Sequence, residues 1–107
     1  MIHRGKTARG IALLLVVGTV LVTMGCGTFG FTHRILKANK ALAQAEVEDA
    51  EKYAPYEYTY AVEFQKKAKE EMGYADYQAA MEYAKIAEEY ALKAKEIARK
   101  AKMEEGR

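Results

Sequence analysis

The sequence predicts an all-α protein: an apolar leader followed by a small domain of three antiparallel helices, over about 32–53, 55–72 and 76–103. Three observations predict it. Apolar residues recur with a 3.6-residue period in each of the three segments, the mark of a helix with one buried stripe. Alanine stands at positions 80, 84, 87, 91, 94, 98 and 101, in alternating steps of four and three, so Ala80, Ala84, Ala87, Ala91, Ala94, Ala98 and Ala101 form one seam. The helix-breaking residues, Pro55 and Gly73, fall between the periodic segments.

The leader is residues 1–25. It opens with His3, Arg4, Lys6 and Arg9 and continues as an apolar run over 11–22, broken only by Gly18 and Thr19. It closes on Gly25 before Cys26. A basic start, a short apolar core and a small residue at a cut are the layout of a secretory signal. The run falls short of the roughly 20 residues a bilayer span prefers, which leaves an uncleaved membrane anchor as the alternative. Residues 26–31 read as a tether, because Gly27 and Gly30 discourage helix.

The first helix is predicted from Thr32, a plausible N-cap, with its stripe at Ile35, Ala38, Leu42 and Ala45, flanked by Ala41 and Val47. Pro55 suits the first turn of a new helix and not the middle of one. The second helix carries Tyr58, Ala61, Phe64 or Gln65, Ala68 and Met72 on one side, and Gly73 is the expected left-handed residue at its end. Asp76 is the expected N-cap of the third helix. That helix should be about 40 Å long at 1.5 Å per residue. A seam of alanines lets neighbouring helices come close but buries little area per turn. The short turn makes helices two and three antiparallel neighbours. The last turns of helix three, from about Leu92, outrun helix two; helix one, a second subunit or solvent is left to cover them.

Composition narrows the function. Removing residues 1–25 from 107 leaves 82, one small domain. Of 17 Lys and Arg, Arg4, Lys6 and Arg9 leave with the leader, so 14 basic residues face 15 acidic ones. A net charge near −1 gives no support to nucleic-acid binding. The domain has one His, no Ser and, beyond Cys26, no Cys. The usual Ser or Cys nucleophile sets are absent, as are a phosphate loop and a metal-ligand spacing. His33 reads as a surface residue. The expectation is a non-enzymatic protein with no cofactor, no metal and no small-molecule substrate. The carboxylates and lysines of the third helix read as a solvated face, with a weak contact to anionic lipid or glycan as the alternative.

Tyrosine is the feature that points to binding. Tyr53, Tyr56, Tyr58 and Tyr60 crowd around Pro55, and Tyr74 and Tyr77 stand at the opposite turn. Tyr combines a large apolar body with a polar tip and is enriched in interfaces. The same rings also serve to fill the core edge beside small alanines, and the sequence leaves both uses open.

Gly25-Cys26 after the apolar run resembles the signal peptide of bacterial lipoproteins, in which the Cys is acylated and becomes residue one of the mature chain. Thr23 stands where that family most often has Leu. The resemblance implies cleavage after Gly25, lipidation of Cys26 with palmitate-type chains, and anchorage in the cell envelope. Position 27 is not Asp, which by the same resemblance favours the periplasmic face of the outer membrane over the inner membrane.

Residues 75–87, Ala-Asp-Tyr-Gln-Ala-Ala-Met-Glu-Tyr-Ala-Lys-Ile-Ala, resemble the turn and second helix of a tetratricopeptide repeat. The likeness covers about 61–94, a single hairpin, with Ala68 in the small position of its first helix and Glu71 where the family has an aromatic. Three repeats are needed for a ligand groove. Ala-Pro-Tyr-Glu-Tyr at 54–58, Lys-Ala-Lys-Glu-Glu at 67–71 and Ala-Asp-Tyr at 75–77 resemble a group of small Gram-negative envelope lipoproteins of uncharacterised function. Some of these append a peptidoglycan-binding domain, which is not expected here. Together the resemblances imply a tethered helical module that docks on an envelope protein. The alternative is a self-associating structural lipoprotein, similar to murein lipoproteins but without their covalent peptidoglycan link.

Overall fold

Alanines at heptad spacing on one helix become a buried core only if neighbouring helices meet them, and here they do, with one short helix more than the three that the sequence predicts. The computed structural model describes the backbone of residues 2–107 and the side chains of residues 5–20 and 30–107. Its elements are helices α1 (Ile2–Val47), α2 (Ala50–Tyr53), α3 (Pro55–Gly73) and α4 (Tyr77–Glu105). No strand occurs among the described residues. Helices α1 and α3 both lie along α4 and touch each other far less, so α4 is the spine.

The core is built in layers. Ala38 of α1, Ala68 of α3 and Ala84 and Ala87 of α4 make one. Ala41, Ala61 and Ala91 make the next. Ala45 and Ala50 close the far end with Ala54, Ala94 and Ala98. The order of these layers along each chain segment makes α1 parallel to α4 and α3 antiparallel to both. Six of the seven seam alanines are fully buried, and Ala101 is half-buried. The last turns of α4 are covered by α1 and α2, not left bare.

The first helix differs from expectation at both ends. Residues 26–31 do not form a non-helical tether, and Thr32 is not an N-cap, because α1 runs unbroken from Ile2. Each glycine in a helix costs about 1 kcal/mol relative to alanine, and tertiary contacts offset this at the domain end. Phe31 is 5% exposed and meets Tyr77 edge-on at 5.7 Å. At the other end α1 stops at Val47, not Tyr53. The amides of Glu48 and Asp49 donate to Ala45 and Glu46, tightening the last turn. Asp49 then takes a left-handed conformation, φ 56°, which Asp tolerates better than most residues. Lys102 reaches across from α4 to hold that corner, 3.2 Å from Asp49 and 3.8 Å from Glu48. The single turn α2 follows.

Pro55 opens α3 at its first turn, as its fixed φ favours. The α3–α4 turn is a Schellman motif. The amide of Asp76 donates to Glu71 O at 3.0 Å and that of Ala75 to Met72 O at 2.9 Å. The left-handed residue is Ala75, φ 61°, and not Gly73, which stays helical. Asp76 caps α4 as its sequence position predicts: the Ala79 amide donates to Asp76 Oδ1 at 3.0 Å. Met72, expected in the stripe, is 43% exposed, since α3 buries Ala61, Gln65 and Ala68 instead.

Candidate docking surfaces

Sequence reading grouped six tyrosines as a binding set, and the structure divides them. Tyr53 and Tyr58 are half-buried against the Ala45, Ala94 and Ala98 layer. The Tyr53 hydroxyl donates to a Glu105 carboxylate oxygen, tying α2 to the end of α4. The Tyr58 hydroxyl donates to Glu46 Oε1 at 3.0 Å, tying α3 to α1. Burial, and then the Glu46 carboxylate, raise the Tyr58 phenol above its ordinary pKa. These two rings are clasps between helices. Tyr74, 82% exposed, and Tyr77, 41% exposed, stand at the opposite end of the bundle. The length of α3, about 28 Å for 19 residues, separates the two groups.

Tyr56 and Tyr60 belong to a different surface. They stack at 5.9 Å, and Tyr60 continues to Phe64 at 4.7 Å and Tyr90 at 4.3 Å. Phe64 meets Tyr83 at 5.7 Å. Five rings thus form one strip along the α3–α4 seam. Their spacing is the cause: 56, 60 and 64 lie one helical turn apart, and 83 and 90 are two turns apart, so each set shares a face. Lys67 lies over Phe64 at 4.9 Å and Lys93 over Tyr90 at 5.7 Å, so the strip presents cations above aromatic faces. Phe64, Tyr83 and Tyr90 were not among the binding residues expected from sequence. The regular 56, 60, 64 spacing was the available signal.

A second surface is the groove between α1 and α3, about 440 Å³, with Leu42, Tyr58 and Val62 along its apolar wall and Lys66 at its rim. Gln65 is 4% exposed at its base. Its Nε2 donates to Asn39 Oδ1 at 2.5 Å, while its Oε1 is buried without a hydrogen-bond partner. An orphaned buried acceptor costs about 1–3 kcal/mol. Neither surface gathers a nucleophile with a base. No cluster of three metal-ligating side chains occurs among the described residues.

Every described side chain from residue 5 to residue 20 is exposed. Ile11, Leu13, Leu14, Leu15, Val16, Val17 and Val20 are each 52–74% exposed. Among the described side chains, burial begins at Phe31. Cys26 and Gly25 lie outside the residues whose side chains are described. Among the described residues no helix is long and apolar enough to cross a membrane. A family model for a domain of unknown function, DUF4398, matches residues 34–107. The chain belongs to the DUF4398 family. The DUF4398 match starts three residues after Phe31 and takes in all of α2, α3 and α4, so the family segment coincides with the alanine-layered bundle. No curated protein and no solved structure matches the chain.

Proposed function

We propose that this DUF4398 protein is a lipid-anchored envelope lipoprotein whose helical bundle is a non-enzymatic docking module. Residues 1–25 are its signal peptide, Cys26 carries the acyl chains, and the bundle faces the periplasm from the outer membrane. The observation that carries the reading is the solvent exposure of the apolar stretch of α1 from Ile11 to Val20, which precedes Cys26 and the packed domain. An apolar segment exposed along its length belongs in a lipid or translocation environment. Its run of about a dozen apolar residues fits the core of a signal peptide better than a bilayer span. Several acyl chains on Cys26 then supply durable anchorage, at about 0.8 kcal/mol per buried methylene.

The docking role draws on the aromatic strip and on the α1–α3 groove with its unpaired Gln65 acceptor. The α3–α4 pair is the segment that resembles a single tetratricopeptide hairpin. One hairpin makes a partner-binding ridge, not a peptide-receiving superhelix. The structural alternative, self-association through the alanine seam, draws less support because six of the seven alanines are already buried within the bundle.

Intact mass of the membrane-extracted protein, with in-cell crosslinking from Tyr56 and Val62 positions, tests the proposal. The expected mass is residues 26–107 plus acyl chains, lost on Cys26→Ser, with a discrete heterologous crosslink. A full-length mass refutes the lipoprotein reading. Crosslinks only between copies of this chain refute the docking role in favour of the structural alternative.

A further inference from the structure

The register between α1 and α4 fixes how the bundle meets the membrane. Layer partners on the two parallel helices sit 46 to 53 positions apart, centred on 49–50: Ala38 with Ala84 and Ala87, Ala41 with Ala91, Ala45 with Ala94 and Ala98. Carried along α1 toward its N-terminus, that register puts the backbone of residue 26 level with residues 75–76. The α3–α4 turn therefore stands at the height of Cys26. The chain between them is short. Phe31 is buried against Tyr77, and five residues from Cys26 to Phe31 rise about 8 Å as helix and reach at most about 18 Å fully extended.

We infer that the α3–α4 turn is a membrane-contact surface whose partner is the headgroup layer of the bilayer that holds the Cys26 acyl chains. The inference rests on the lipid-anchor reading. Acyl chains on Cys26 place residue 26 at the headgroup level, and the matching residues of the turn come with it. Tyr74 is the most exposed of the large apolar or aromatic side chains described, at 82%, and Tyr is a residue of membrane–water interfaces. Tyr77 and Met72 flank it at 41% and 43% exposure. The charges around them are mostly acidic: Glu70, Glu71 and Asp76 against Lys69, all in or beside the turn. Contact is thus driven by the aromatic and apolar side chains and by the tether, not by attraction to anionic lipid, and zwitterionic lipid suffices. The bundle stands with its Pro55 end, and Tyr56 with it, directed away from the bilayer.

The chain contains no tryptophan, so single Tyr74→Trp and Tyr56→Trp variants each carry one fluorophore. Both positions are exposed, at 82% and 67%, and circular dichroism checks that each variant folds. The full chain is expressed in a Gram-negative host, extracted from membranes and reconstituted in phosphatidylcholine vesicles containing brominated lipid. The expected result is at least twofold stronger quenching at position 74 than at position 56, with a blue-shifted emission at 74 only. Equal quenching at the two positions, or no quenching at 74, on a chain whose intact mass shows acylated residues 26–107 overturns the inference and leaves the anchor standing. A full-length mass overturns the anchor reading, and the inference falls with it, since residue 26 then no longer marks the interface.

Discussion

Ala75→Gly and Gly73→Ala, made separately, should both stabilise the bundle. Ala75 holds a left-handed conformation at φ 61°, which costs an L-residue about 1–2 kcal/mol. Glycine removes that strain, but its freer unfolded chain gives back about 0.5–1 kcal/mol. The net gain is about 0.5–1 kcal/mol. Gly73 stays helical, and a Cβ there meets nothing within 4 Å, so alanine gains about 0.5–1 kcal/mol from helix propensity. For a domain of this size each gain raises the melting temperature by about 3–6 °C. Thermal unfolding followed by circular dichroism at 222 nm reads both. The pair is decisive because the sequence alone assigns the turn the other way. If Gly73 were the left-handed residue, Gly73→Ala would lower the melting temperature and Ala75→Gly would also lower it, and the Schellman assignment would fail.

Further outcomes follow from other contacts. Ala87→Leu, at a fully buried layer position, should destabilise by about 1–3 kcal/mol or more through overpacking, seen in urea midpoints; a neutral result would mean the layer is loosely filled. Gln65→Met removes the orphaned acceptor and leaves exposed Asn39 to solvent, so stability should hold or rise by about 1–3 kcal/mol while partner crosslinking from the α1–α3 groove weakens. Lys102→Ala releases the Asp49 corner but, because the pair is partly exposed, should cost less than about 1 kcal/mol by the same urea titration. The raised Tyr58 pKa gives a pH signature: the folded state holds that proton more tightly than the unfolded one. Its stability contribution is therefore intact below about pH 10 and is lost as pH rises through the folded value. Tyr58→Phe should flatten the alkaline decline, and an unchanged slope would contradict the burial of that hydroxyl.

The periodic core was legible from sequence because alanine at steps of four and three admits one reading. The antiparallel α3–α4 pair, the Pro55 start and the Asp76 cap rest on local chemistry that a sequence carries in full. The misassigned points depend on tertiary geometry. Asp49 reads as one more charge on a solvated face until Lys102 arrives from 53 positions away in the chain. Gly73 has the freedom for a left-handed turn, yet the helix gains two more residues by running through it and leaves the strain on Ala75. The helical course of residues 26–31 follows from the seat of Phe31 on Tyr77, which no local pattern encodes. The division of the six tyrosines was not legible, because ring-to-ring contact between α3 and α4 sets the strip and hydroxyl contacts set the clasps.

The alanine layers also bear on how this bundle responds to temperature. Among the described residues every buried apolar side chain except Phe31 is alanine. Unfolding such a core hydrates little hydrocarbon compared with one of leucine and isoleucine, and the heat-capacity increment scales with that exposure. The stability curve of the bundle is accordingly flat. Its free energy of unfolding should vary little with temperature, and calorimetry should give a heat-capacity increment below the usual ~12–15 cal/mol/K per residue. A fold held by such layers should then be nearly indifferent to the temperature at which it works.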